Sequence, residues 1–289
     1  MNHTQTIGVL GATSHVGQAL LLMLIEQGYA PLAFTRQAIT SDSENPRWQH
    51  LSAIDQLSQK QAIPYWITLS PIALLEPYFK AFEASGTKRI VVLSSTSIFT
   101  KSESTDPADQ RLAQTFLEAE QNLQKWAEKV GIEYVILRPT LIYGLGKDKN
   151  ICEIMRLIRR FGFFPLLGEA KGLRQPVHCR DVAQACVSAL TSSNAANHSY
   201  NLSGSEVLSY KAMVLKLFQA LGQKPRLVSI PIGLLKMSIT FLKLIPRYRS
   251  WSFAMVERTN QDMIFDHDAA GRDLNFKPQA FELSSNDLP

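Results

Sequence analysis

The chain has 289 residues, 45% hydrophobic and 19% charged, with a formal net charge of +5. This composition excludes a disordered or fibrous chain and leaves room for one large domain or two unequal ones. No run of 18 or more apolar residues is free of charge, so a spanning helix is not expected. The three cysteines, Cys152, Cys179 and Cys186, have neither disulfide nor zinc spacing and fit a reducing compartment. The six histidines are scattered, and no metal is expected. Met1–Gln5 carries no basic-then-apolar leader, so a cytoplasmic location is expected. A basic balance suits nucleic acid, a membrane surface or anionic small molecules. No nucleic-acid motif is present, so an anionic cofactor and a phosphorylated substrate are the expected partners, with ordinary surface charge as the alternative.

In chain order, Thr6–Leu10 reads as a strand and Gln18–Ile25 as an apolar helix. Between them lies Gly11-Ala12-Thr13-Ser14-His15-Val16-Gly17. Strand, glycine turn and helix form the setting of a dinucleotide fingerprint, in which free N–H groups at the helix start meet a pyrophosphate. Gly11 allows the tight turn, and Gly17 lets the helix approach the strand. An ordinary strand–helix turn with two chance glycines is the alternative. Pro31–Arg36 is the second strand, with a short strand near Trp48–Leu51 and another at Pro64–Leu69. A helix follows around Leu74–Glu83. Arg89–Leu93 is a continuous apolar strand suited to the centre of a parallel sheet, and it runs into Ser94-Ser95-Thr96-Ser97.

Asp106 and Pro107 open a long helix as N-cap and first helical residue. Its apolar stripe is Leu112, Phe116, Leu123, Ala127 and Val130, and Gly131 closes it. Glu133–Leu137 is the next buried strand, ending at Arg138-Pro139. Repeated strand–helix units imply an α/β fold with a doubly wound (Rossmann) parallel sheet, ligands lying at the carboxyl ends of the strands. A basic helix is predicted from Ile151 to Phe161, a loop or short strand over Gly162–Gly168, a helix over Val182–Leu190 and a returning strand over Ser199–Leu202. The expected division is a dinucleotide-binding domain (1–146 and 177–204) and a smaller, partly interleaved substrate lobe (147–176 and 205–289). Between Pro231 and Pro246 the sequence reads as an amphipathic helix with Lys236, Thr240 and Lys243 on one face. Such a helix covers the substrate lobe, meets a partner or makes peripheral contact with a membrane.

With these elements placed, the chain resembles the extended short-chain dehydrogenase/reductase family, and within it the nucleotide-sugar epimerase/dehydratase branch. The Gly11–Gly17 loop carries part of the match. The others are Val91–Phe99, containing Ser94-Ser95; Leu137-Arg138-Pro139-Thr140-Leu141-Ile142-Tyr143-Gly144; and Gln175-Pro176-Val177-His178-Cys179-Arg180-Asp181-Val182-Ala183. Tyr200–Gly204 and Asp273–Pro278 also fit. Two departures stand out. Ser14 occupies a position that is usually glycine. The Tyr-x-x-x-Lys pair is missing: aligning the helix on Glu118-Ala119-Glu120 puts Leu112 and Phe116 where Tyr and Lys would stand. In the family a lysine one turn away stabilises the phenolate of a tyrosine whose free pKa is about 10, so that it exchanges protons near neutrality. Leucine and phenylalanine do neither.

The resemblance implies a nicotinamide cofactor held by Gly11, Ala12, Thr13, Ser14, His15, Val16 and Gly17, bordered by Leu69 and Ser70, with Pro139 and Thr140 near the nicotinamide. Arg36 ends the second strand, where a carboxylate would bind the ribose 2′-hydroxyl of NAD. An arginine there suits a 2′-phosphate, so NADP is expected over NAD; a surface arginine without preference is the alternative. Ser95 matches the hydroxyl that holds the reacting oxygen, with Thr96 as the competing alignment and backbone satisfaction as the bland reading of both. The proton donor is then Lys101, a water or the substrate itself, with a solvated loop lysine as the bland reading of Lys101. Arg174, Gln175 and His178 are the substrate candidates, while Arg156, Arg159 and Arg160 read as a solvated basic face. The expected function is an NAD(P)-dependent oxidoreductase or epimerase acting on a nucleotide-linked sugar with an unconventional proton donor. The alternative is a non-catalytic NADP-binding redox sensor or assembly subunit. A homodimer through paired long helices is expected by resemblance.

Overall fold

The computed structural model describes residues 5–37, 46–57, 62–230 and 259–289. Its strands are β1 (Thr6–Leu10), β2 (Ala30–Thr35), β3 (Arg47–His50), β4 (Tyr65–Thr68), β5 (Arg89–Leu93), β6 (Glu133–Pro139) and β7 (Ile142–Tyr143). They continue as β8 (Phe164–Leu167), β9 (Leu173–Arg174), β10 (Val177–His178), β11 (His198–Leu202), β12 (Leu208–Ser209) and β13 (Leu227–Ile230). Seven of them form one sheet in the order β11-β6-β5-β4-β1-β2-β3, and every pairing in it is parallel. The chain builds outward from β1 to β3, then crosses back to place β4 on the other side of β1. The crevice at this reversal is where an open parallel sheet receives its ligand.

The helices are α1 (His15–Glu26), α2 (Phe79–Ala84), α3 (Ser97–Ser102), α4 (Pro107–Val130), α5 (Ile151–Phe161), α6 (Cys179–Thr191), α7 (Tyr210–Ala220) and α8 (Asp268–Leu274). One face of the sheet is covered by α1 and α6, whose Leu20, Leu24, Val182 and Cys186 are buried against Val9, Ile67 and Val135. On the other face Leu123 and Ala127 of α4 pack with Trp66, Phe82 and Ile136. A third core lies outside the sheet. It joins Tyr143, Met155, Ile158, Phe164, Leu217, Phe218 and Phe281. No described helix is long and apolar enough to cross a membrane.

Local chemistry explains where elements begin and end. Asp106 caps α4 by accepting from the Ala108 N–H, Pro107 fills the first turn, and Gly131 closes it at φ 73°. The single helix expected around Leu74–Glu83 is instead two 3₁₀ turns, Ile72–Leu74 and Glu76–Tyr78, followed by α2. Pro77 lacks an N–H and disfavours helical geometry in the residue before it, which breaks the run. Helix α3 was not legible, because six residues reading Ser-Ile-Phe-Thr-Lys-Ser carry no apolar period. Helix α6 begins earlier than expected because the His178 imidazole caps it, accepting from the Arg180 N–H. The Pro231–Pro246 stretch lies outside the described residues.

At the amino ends of the strands, where β5 begins, buried Arg89 closes α6. Its guanidinium pairs with Glu133 and donates to the carbonyls of Ala189, Leu190 and Ser192 at 2.8–3.1 Å. Arg89→Ala strands three carbonyls and a carboxylate together, so a loss of about 3 kcal/mol is expected. Chemical denaturation monitored by circular dichroism would measure it, with an unchanged midpoint contradicting this role.

Candidate active site

The loop from β1 to α1 is shaped by two close backbone approaches. Gly11 sits at φ +74°, and a Cβ there would lie 2.8 Å from the Leu69 carbonyl carbon and the Ser70 nitrogen. A Cβ on Gly17 would lie 2.4 Å from the Ala12 carbonyl oxygen. Neither position accepts a larger residue without moving backbone. Ser14 is the helix N-cap: its hydroxyl oxygen accepts from the Gly17 N–H at 3.0 Å, and its own N–H donates to the Gly11 carbonyl at 3.1 Å. Serine thus does capping work that a glycine cannot. The N–H groups of Ala12, Thr13, His15 and Val16 have no acceptor among the described residues. Together with the positive end of α1 they make a site for an anion.

Polar groups in and around this crevice also lack partners. The Thr68 hydroxyl ends β4, and the Ser94 hydroxyl follows β5. Both are buried without a hydrogen bond, as are Asn201 Oδ1 and His15 Nε2. Native interiors rarely leave such groups unpaired, and a polar ligand accounts for those at the strand ends. Burial lowers the pKa of His15; Asp148 opposes this and His178 adds to it. The imidazole is therefore neutral near pH 7. Arg36 is exposed just beyond β2. Leu69 and Ser70 lie against Gly11, with the Leu69 N–H donating to the Leu10 carbonyl at 2.8 Å. These residues fit a dinucleotide.

Ser95 caps α3 locally: its hydroxyl accepts from the Ser97 N–H at 3.1 Å and donates to the Ser97 hydroxyl at 3.0 Å. The Thr96 hydroxyl is buried and donates to the Pro139 carbonyl. Thr140 donates its hydroxyl to the Gln175 carbonyl, tying β6 to the lobe. Lys101 is a helical residue of α3, and its ammonium lies 3.0 Å from Asp109 of α4, whose other oxygen accepts from Ser104. Leu112 leaves the expected apolar stripe and is 38% exposed, while Phe116 is partly buried against the α4 face of the sheet. Neither supplies a proton.

The three substrate candidates all bond within the chain. Arg174 is buried, donates to the Leu173 and Gln261 carbonyls at 2.7 Å and stacks over Tyr210. Gln175 donates to the Gly204 carbonyl and accepts from the Phe265 N–H. His178 accepts at Nδ1 from Arg180, so its Nε2 proton faces Asp287 at 3.1 Å. Two buried pairs were not foreseen as units. Glu120 and Arg138 form a chelated ion pair, with the guanidinium 5.6 Å over the Phe99 ring. Asp287 gathers donors from Leu145, His178 and Ser284. Arg138, Leu145 and His178 lie 18 to 142 residues from the carboxylates they bind, and no spacing signals them; Ser284 alone is local, three residues from Asp287. Among the described residues no His, Cys, Asp and Glu cluster could hold a metal ion. Burial lifts the thiols of Cys152, Cys179 and Cys186 to about 12, so they are inert at neutral pH.

Residues 71–203 match the model of the NAD dependent epimerase/dehydratase family. UDP-glucose 4-epimerase of Vibrio cholerae is 26% identical over 162 residues, 53% of this chain and 49% of that protein. NADH dehydrogenase [ubiquinone] 1 alpha subcomplex subunit 9 of Arabidopsis thaliana is 29% identical over 105 residues, 36% of this chain and 26% of that protein. The matches thus span about half of the first relative and about a quarter of the second. Among solved structures, the UDP-glucose 4-epimerase of Thermotoga maritima has a TM-score of 0.72 at 15% identity, covering 98% of this chain and 96% of that one. The UDP-glucuronic acid 4-epimerase of Bacillus cereus in complex with NAD has a TM-score of 0.70 at 16% identity, covering 98% and 95%. At such identities the likeness shows the fold.

Asp287 makes the stability of the fold pH-dependent. Burial alone would raise its pKa, but the Ser284, Leu145 and His178 hydrogen bonds outweigh it and hold the carboxyl at about 2. A depressed folded-state value means this stabilisation is full above the unfolded value near 4 and is lost as pH falls towards 2. Asp287→Asn should therefore flatten the acid limb of a melting-temperature profile between about pH 4 and 2 and lower the plateau above it. An unchanged profile would contradict this.

Proposed function

We propose that this chain, an extended short-chain dehydrogenase/reductase of the epimerase/dehydratase kind, binds NADP(H) in the β1–α1 crevice and acts on a nucleotide-linked sugar. The observation that carries this reading is the loop itself: two glycines with no room for a Cβ, and four unpaired N–H groups at the mouth of α1. Gly11, Ala12, Thr13, Ser14, His15, Val16 and Gly17 hold the pyrophosphate, and Arg36 meets the 2′-phosphate. A bound nicotinamide supplies hydride exchange with a sugar carbon. Ser95 orients the reacting oxygen. Both hydroxyls are bonded within the chain, Thr96 to the Pro139 carbonyl and Ser95 to Ser97; Thr96 is buried and Ser95 only half-buried, which favours Ser95 of the two. Lys101, kept beside Asp109, is the candidate proton donor.

A second reading has an observation of its own. Leu112 and Phe116 stand where Tyr and Lys would do acid–base work, which favours a non-catalytic NADP-binding redox sensor or assembly subunit. The buried thiols would have no part in such sensing; the nucleotide's redox state would be read through the crevice. The Arabidopsis relative is by name a subunit of a larger enzyme, which supports the assembly form of this reading.

Calorimetry with NADPH and NADH, followed by turnover assays on nucleotide-linked keto sugars, separates these readings. NADPH is expected to bind at least about tenfold more tightly than NADH, since a charge-assisted bond is worth about 1.5–3 kcal/mol. Arg36→Glu should reverse that order. Turnover lost in Lys101→Met with cofactor affinity intact supports the catalytic reading. Binding without turnover across the panel supports the second, and no binding of either nucleotide refutes both.

A further inference from the structure

Outside the crevice, one face of the substrate lobe combines exposed aromatic and basic side chains that the proposed chemistry does not use. Strands β8 and β13 pair in parallel, with Phe164 opposite Leu227 and Pro165 opposite Val228. Alternation along the pleat divides their side chains. Phe164 and Leu166 are buried in the lobe core, with Leu227 packed against it. On the outer side Val228 is 48% exposed, beside half-buried Pro165 and exposed Arg226. Phe163, 39% exposed, precedes this ribbon, and Phe161, 52% exposed, ends α5 with its ring 6.2 Å from that of Phe163. The Arg226 carbonyl accepts from the Phe164 N–H at 2.9 Å, so the β13 entry lies directly against these aromatics.

Cations surround the apolar strip. Arg160 lies 5.2 Å over the Phe161 ring. Arg156 and Arg159 follow the same exposed side of α5, and Lys224 and Arg226 lead into β13. Glu153 offsets Arg156 and Glu169 pairs with Lys171, while Arg160, Lys224 and Arg226 form no ion pair among the described residues. Arg159 also donates to the Pro289 carbonyl.

We propose that this face docks on an anionic lipid surface. Exposed phenylalanines suit the headgroup–acyl boundary, and surrounding arginines gain from negative headgroups. The charge argues against a second copy of this chain, because a two-fold contact would bring like-charged arginines together. Nucleic acid would answer the charge but would leave Pro165 and Val228 without an apolar medium.

The test is co-sedimentation of the full chain with vesicles of phosphatidylcholine, with and without phosphatidylglycerol. Binding is expected only with phosphatidylglycerol, and should fall steeply towards about 0.5 M salt. Phe161→Ser/Phe163→Ser should weaken it at least about tenfold through lost apolar insertion. Arg160→Gln/Arg226→Gln, an exposed polar exchange, should weaken it about tenfold as well. Both double variants should keep the wild-type circular dichroism spectrum and melting temperature. The proposal is overturned by equal sedimentation with both vesicle types, by no sedimentation, or by folded variants that bind like wild type. It is also overturned if a labelled oligonucleotide binds while vesicles do not, or if the variants abolish self-association without any vesicle binding. None of these outcomes depends on cofactor binding.

Discussion

The structure depends on backbone meeting backbone at the reversal of the sheet. Gly11 brings the end of β1 against the Leu69–Ser70 peptide of β4, and Gly17 brings α1 against the Ala12 carbonyl. Because no side chain intervenes, the first turn of α1 opens directly onto the carboxyl edges of β1 and β4. The N–H groups there are unpaired as a consequence of how a helix begins. Ser14 satisfies one of the donors and leaves the others pointing into the crevice. Helix position, sheet order and the anion site therefore share one steric condition.

The ends of β5 and β6 beside the crevice are arranged differently. Hydroxyls and charges around them are mostly committed to the protein: Thr96 to Pro139, Thr140 to Gln175, Lys101 to Asp109. Glu120 is 2% exposed and tolerable there only because Arg138 chelates it; either partner alone would leave a buried charge unpaired. This pair fixes the C-terminal half of α4 against the end of β6, while Leu112 further up the same helix is exposed rather than packed.

Polar contacts help to attach the lobe. Asp287 binds Leu145 and His178, and Gln175 bridges Gly204 and Phe265. Apolar contact adds to these bonds, because Ala270, Leu274 and Phe276 share the core that α1 and α6 build on the sheet. The lobe's own core, with Tyr143 and Phe281 edge to face at 4.8 Å, then provides the rigid body that carries the β8–β13 ribbon.

The sequence alone determined the alternation of strands and helices, the loop of Gly11–Gly17 and the caps of α4. These are local signals, written in apolar period, in capping residues and in glycines whose freedom a turn requires. The parallel order of the sheet followed from that alternation. Tertiary structure alone decided what the candidate side chains do, because hydrogen-bond partners come from distant parts of the chain. Arg174 and His178 read as substrate groups from their motif, but Gln261 and Asp287 supply their partners. The Phe161–Phe163–Val228 face likewise needed the β8–β13 pairing, since a strand's exposed side is defined only by what covers the other one.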